Sequence, residues 1–318
     1  MHCKLGSLVL CAAALGCMPS AQAWNKAGHM TSAAIAYDDL KARSPSTVAR
    51  IVAALKLHPQ YDQRWRADVE AAGLSEDDAN RRLFMLAARW PDDVRGDHDF
   101  DRPEDHFIDL AYKPPGQPSS VKVTQPGPEN LVTAYAEHVS TLLNSTDEGD
   151  RAVALCWLFH LTGDVHQPLH SVSLFTTQYP TVEGDRGGTR FYIRVTPDSS
   201  TISLHAFWDN LILGSERYQV VANRATGLRN RAGLSRADLP ELAERPFSPN
   251  AAMSWARDES LVVAKSVVYL NGKLKGSSSK SNGKSLPDDY VGKAQDAAER
   301  RMVLAGYRLS DAMATLLP

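Results

Sequence analysis

The sequence predicts a mainly α-helical, single-domain protein with one small β-hairpin. Three observations lead there. Amphipathic or Ala-rich runs with a 3.6-residue period recur along most of the chain. Only Arg190–Thr196 alternates apolar and polar residues as a half-buried strand does. Beyond residue 23 the chain has about 295 residues, enough for one large core, with no repeat evident.

The elements follow in order. His29–Arg43 is Ala-rich and amphipathic, and Ser46–Leu57 follows the helix-start pair Ser44-Pro45. Ala79–Trp90 places Leu83, Phe84, Leu86 and Ala87 on one side, and Pro91 is expected to stop it. Asn130–Leu143 and Arg151–Thr162 are helices separated by a turn-like stretch. Further helices are expected at 205–223, 239–245, 250–271 and 290–316. Arg190–Thr196 should pair with Thr201–Leu204 across a turn at Pro197-Asp198. Long loops are expected at 113–128 and 172–188, the second ending in Gly-Asp-Arg-Gly-Gly. The Lys/Ser/Gly stretch near 272–285 reads as a mobile surface insertion.

Residues 1–23 read as a secretory signal. Lys4 supplies the positive region, Leu5–Met18 the apolar core and Ala21-Gln22-Ala23 the cleavage site. The apolar run is too short to span a bilayer. A rival reading takes Ala14-Leu15-Gly16-Cys17 as a lipoprotein box, a poorer match. Cleavage after Ala23 would leave a domain spanning 24–318 that begins with Trp24. It would also remove Lys4 and no acid, so the net charge of −2 becomes about −3. Such a balance lacks the basic field of a duplex-binding regulator, while a metal-using nuclease stays compatible with it. Of four cysteines only Cys156 lies beyond the signal, in an apolar run, so no internal disulfide can form and a small buried side chain is expected.

The chemistry concentrates at 158–170. His160 and Asp164 are four residues apart, so on a helix they share a face, and Pro168 then turns His170 elsewhere. His205 and Asp209 repeat the His-x-x-x-Asp step. With His29, Asp92 and His106 the candidates number eight, all of types that ligate zinc. Eight are too many for one tetrahedral ion and suit two or three, each keeping room for water. The bland reading of any single position is a hydrogen-bonded core histidine or an exposed acid. The repeated spacing outweighs it at His160, Asp164, His205 and Asp209. His166 is assigned a structural or supporting place, and His2, His58, His98 and His138 read as surface or signal residues.

These residues resemble the S1/P1 nuclease family. The matching set is Trp24-Asn25-Lys26-Ala27-Gly28-His29, Trp90-Pro91-Asp92, His106-Phe107-Ile108-Asp109, His160-x3-Asp164-x5-His170, Gly187-Gly188 and His205-x3-Asp209. Zinc-dependent phospholipase C is similar in fold and ligands. Its separation from N-terminal Trp to first His is longer, however, and its last ligand is usually Glu. The resemblance implies a helical fold holding three Zn2+ ions. One would sit on Asp92, His106, His160 and Asp164, a second on His170, His205 and Asp209. A third would sit on His29, Asp164 and the α-amine and carbonyl of Trp24. An α-amine and its own carbonyl close a five-membered chelate, and an amine of pKa about 7.7–8 loses its proton easily to a metal.

The same resemblance implies catalytic places for Asp92, Asp164 and Arg95, and substrate contacts for Asp109, Phe107 and Thr189. The loop 172–186, with Phe175 and Tyr179, is expected along the substrate cleft. Two departures stand out. The usual Ser-Trp-Ala-Asp is Arg89-Trp90-Pro91-Asp92, and the usual Gly-Gly-Asn is Gly187-Gly188-Thr189. The implied activity is hydrolysis of single-stranded DNA and RNA to 5′-phosphorylated products, with 3′-nucleotidase activity. The implied enzyme is a monomer, exported to the periplasm or medium of a bacterium, with no stable protein partner and no membrane anchor. The alternatives are a phospholipase C and a non-catalytic zinc-binding protein.

Overall fold

Residues 24–318 are described by a computed structural model, and the expected signal segment lies outside them. The chain enters through Asn25, whose side chain accepts the Gly28 N–H and caps α1 (Lys26–Arg43). α2 (Pro45–Leu55) follows with proline in its first turn. α3 (Glu76–Asp93) starts at Ser75, which accepts the Asp78 N–H, and three acids fill its first turn. Asn130 and Thr133 form a reciprocal cap on α4 (Leu131–Asn144). Asp147 caps α5 (Glu148–Asp164) through the Asp150 N–H. Ser203 caps the short α6 (Leu204–Asp209), and α7 (Tyr218–Arg229) and the long α8 (Tyr290–Leu316) complete the main helices.

α1 is the axis, packed by α3, α7 and α8. α5 lies beside α3 and α4 and is buried on nearly every side from Ala154 onward, as befits a core helix with little amphipathic bias. The expectation of a mainly helical fold with a small hairpin holds. β3 (Tyr192–Arg194) pairs antiparallel with β4 (Ile202–Ser203), as expected. A parallel pair of β1 (Ala111–Tyr112) and β2 (Ser173–Leu174) was not expected. It stitches the loop after His106 to the loop after His170.

Several details differ from the sequence reading. Pro91 does not stop α3, which runs on to Asp93 with the Val94 N–H on the Trp90 carbonyl. A proline costs one backbone bond, and here burial of the Trp90 side chain offsets that loss. The single helix expected over 205–223 is two, α6 and α7, separated by a loop. Asn25 inserts its side chain amide into that loop, donating to Asn210 Oδ1 at 2.9 Å and the Leu213 carbonyl at 2.7 Å. The stretch 272–285, expected as mobile, is pinned to the hairpin: Ser277 bridges Tyr192, and β5 (Lys284–Ser285) pairs with β3. His58 is buried between Trp65 and Trp90 rather than at the surface. Cys156 is buried.

Candidate metal centre

α5 carries His160 and Asp164 into the core on one helical face, with Asp164 Oδ2 3.3 Å from His160 Nε2. The same carboxylate oxygen is 3.2 Å from His106 Nδ1, which comes from the turn after Pro103. The other oxygen, Oδ1, is 3.2 Å from His29 Nε2 on α1. Asp164 therefore faces three imidazoles from three different segments. His29 and His160 stack with ring centroids 3.7 Å apart. That approach requires Gly163, because a Cβ there would lie 2.8 Å from His29 Nδ1.

A second cluster lies on the turn that follows α5. Pro168–Ser171 forms a single 3-10 turn, and His170 Nε2 comes 3.2 Å from His205 Nε2, itself 3.5 Å from Asp209 Oδ2. Three groups thus have ligand atoms within 4.8 Å of one another: His29, His160 and Asp164; Asp92, His106 and His160; His170, His205 and Asp209. Every one of the eight side chains expected from sequence is brought into these groups. Trp24, the ninth candidate, is buried beside them. Its indole donates to the Gly163 carbonyl at 3.1 Å, and the next N–H, that of Asn25, reaches the Asp209 carbonyl at 3.2 Å.

The surrounding hydrogen bonds set the ring orientations. Nδ1 of His160, His170 and His205 lies 2.8, 2.6 and 2.6 Å from the carbonyls of Ala88, His106 and Gly187. Each carbonyl can only accept, so Nδ1 carries the proton and Nε2 presents its lone pair to the cluster. Arg95 Nε donates to Asp92 Oδ1 at 2.9 Å. Gln167 Nε2 donates to Asp209 Oδ1 at 2.8 Å, while Gln167 Oε1 accepts the Leu169 N–H at 2.6 Å. Sequence reasoning missed Gln167, although a polar residue between two ligand histidines and beside a proline was the available signal. His166, expected in a supporting place, accepts from Arg308 and donates to the Thr162 carbonyl, locking the turn from behind.

Five imidazoles and three carboxylates therefore share a desolvated space with Arg95. Burial pushes the Asp164 carboxyl up to about 8 and Asp209 well above the usual carboxylate range. It holds His29 down at about 4. Asp92 Oδ2, Asp164 Oδ1 and His29 Nε2 are buried without a hydrogen-bond partner. Unpaired lone pairs in such number are costly unless cations satisfy them, so the residues fit divalent metal ions.

A cavity of about 310 Å³ adjoins the second cluster. His205 and Leu169 form its metal side, and Phe107, Asp109, Phe175 and Thr189 line it, as the sequence led one to expect. Glu183 and Arg186 come from the 172–186 loop expected there, and Glu104 is a lining residue the sequence did not indicate. Burial raises the Asp109 carboxyl to about 7, with the Asp185 charge adding to it. Tyr179, expected in the same cleft, instead stacks on Phe191 and lines a separate cavity of about 170 Å³.

The S1/P1 Nuclease family model matches residues 24–318, the whole described chain. The chain belongs to the S1/P1 nuclease family. As a member of that family it is a nuclease and a hydrolase. It is 27% identical to Nuclease S1 of Aspergillus oryzae over 249 residues, 74% of this chain and 79% of that protein. It is 30% identical to Endonuclease 5 of Arabidopsis thaliana over 191 residues, 56% of this chain and 57% of that one. Endonuclease 3 of the same plant is 25% identical over 254 residues, 74% of this chain and 77% of that protein. No helix among the described residues of this S1/P1 nuclease is long and apolar enough to cross a membrane.

Proposed function

We propose that this chain is an exported, zinc-dependent endonuclease that hydrolyses single-stranded DNA and RNA to 5′-phosphorylated products and has 3′-nucleotidase activity. The observation that carries it is the set of three His/Asp groups, one of which borders, through His205, a cavity lined by Phe107, Asp109 and Thr189. Asp92, His106, His160 and Asp164 would hold one zinc, and His170, His205 and Asp209 a second. His29, Asp164 and the backbone of Trp24 would hold the third once residues 1–23 are removed. Bound zinc at such a centre supplies a water of lowered pKa and a positive field on phosphoryl oxygens.

The chain's own groups do the rest. Asp164 divides its two oxygens between His29 on one side and His106 and His160 on the other, a geometry suited to bridging two ions. Arg95 orients Asp92 through Nε, and its Nη2 is buried without a partner. That nitrogen is available to a phosphoryl oxygen as charge grows on it. Phe107 offers apolar surface to a base, Asp109 and Thr189 offer polar contacts to its edge, and a recessed centre admits a flexible strand more readily than a stiff duplex.

The test is metal analysis paired with a hydrolysis assay on protein beginning at Trp24. It would offer single-stranded DNA, RNA, a 3′-nucleotide and phosphatidylcholine. About three zincs per chain and 5′-phosphorylated products are expected. Cleavage of the lipid alone, or bound zinc without turnover, refutes the proposal.

A further inference from the structure

The segment Gly184–Gly188 is held in a backbone conformation that an arginine rarely adopts. Arg186 lies at φ 53° between Gly184 at 58° and Gly187 and Gly188 at 55° and 81°. A non-glycine residue there costs of the order of 1 kcal/mol and persists where its surroundings over-determine it. The surroundings are buried Asp185 and its partners. Oδ1 of Asp185 accepts the Leu174 N–H at 2.9 Å and Oδ2 the Tyr269 hydroxyl at 2.6 Å. Its backbone N–H donates to the Leu174 carbonyl, and its carbonyl accepts from Arg190. Two residues on, the Gly187 carbonyl holds His205 at Nδ1. One rigid turn therefore orients a metal ligand and presents Arg186.

Arg186 lines the cavity beside that cluster, and among the described lining residues it is the only cation, facing Glu104, Asp109 and Glu183. Its side chain is about half exposed. Glu183, its nearest acid, is engaged elsewhere: Arg190 Nη2 holds Oε2 at 2.6 Å, whereas Arg186 Nε is 3.6 Å from Oε1. The guanidinium thus stands at the mouth of an otherwise acidic cavity, where the part of a polyanionic strand outside the buried clusters would pass.

We propose that Arg186 binds a phosphate of the strand other than the one being cleaved, so that the enzyme favours longer strands over dinucleotides. This rests on the nuclease reading and names which substrates that site prefers. A bidentate guanidinium–phosphate pair suits the geometry of a planar side chain on a fixed backbone.

The experiment compares a dinucleoside monophosphate, which has only the scissile phosphate, with a single-stranded tetranucleotide over a range of salt concentrations. Arg186→Ala is expected to raise KM for the tetranucleotide roughly five- to twentyfold with kcat retained. KM for the dinucleotide should move less than twofold. The slope of log affinity against log salt should flatten by about 0.7, the share of one single-strand phosphate. Arg186→Gly, at ease at φ 53°, should behave alike and covers the case that alanine disturbs the turn; Arg186→Lys should recover part of the binding. Equal losses on both substrates, or an unchanged KM for the tetranucleotide, overturn the proposal. Failure of the nuclease reading looks different: the unaltered protein would cleave neither substrate.

Discussion

Replacing Gln167 by Met keeps its bulk and removes the side-chain amide that donates to Asp209 Oδ1. The bond is 2.8 Å long and both residues are buried, so no bulk water can substitute for it. A hydrogen bond to a charged acceptor in such a place contributes about 1.5–3 kcal/mol. Asp209 must be ionised to ligate zinc, yet burial alone pushes its carboxyl well above the usual range, and the Gln167 amide is the strongest pull the other way. The lost bond therefore appears as weaker metal binding, roughly 10- to 150-fold at the group of His170, His205 and Asp209. Chelator-competition titration of zinc-stripped protein measures each affinity without relying on turnover. One equivalent should weaken while the others stay within about twofold. Gln167→Glu keeps the Leu169 contact but sets a second acid against Asp209, and should weaken the same equivalent, more so as pH rises. If Met leaves every affinity unchanged, or all equivalents weaken together, the assignment of Gln167 as the positioner of Asp209 is wrong.

Other perturbations follow from the same geometry. Asp164→Asn should cost two zinc equivalents and nearly all activity, whereas His166→Ala, behind the turn, should cost stability first; equal residual activities in the two would contradict a bridging Asp164. Gly163→Ala gains up to about 1 kcal/mol of helix propensity but forces a Cβ to 2.8 Å from His29 Nδ1, an overpacking of about 1–3 kcal/mol. Because His29 is stacked on His160 and cannot retreat, the variant should have a lower melting temperature and lose the zinc at His29 preferentially. Stripping the metal should also change the pH dependence of stability. The folded Asp164 carboxyl lies near 8 against an ordinary 3.8, so its contribution is complete below the ordinary value and is lost as pH rises through about 8. His29 acts at the other end: held at about 4, it loses its contribution as pH falls through that value. Zinc-stripped protein should therefore melt progressively lower between about pH 6.5 and 8, and a flat or rising profile over that window would count against a buried, protonated Asp164.

Whatever depends on neighbours along the chain could be read from the order of residues alone. The two His-x-x-x-Asp steps were legible because one helical turn fixes the geometry of residues four apart, and α5 and α6 carry them as expected. The hairpin of β3 and β4 and the long last helix were legible for similar local reasons, and family resemblance supplied the grouping of the distant ligands. The tertiary structure decided everything that joins residues far apart. His106 meets Asp164 across 58 positions, and Gln167 meets Asp209 across 42. Pro91 stays inside α3 because its neighbours are buried on both sides. His58 is core because two tryptophans enclose it, and Tyr179 leaves the expected cleft for Phe191. Arg186 gains meaning only because buried Asp185 holds its turn. Packing sets such distances, and packing is a property of the whole chain's volume and shape rather than of any segment's pattern.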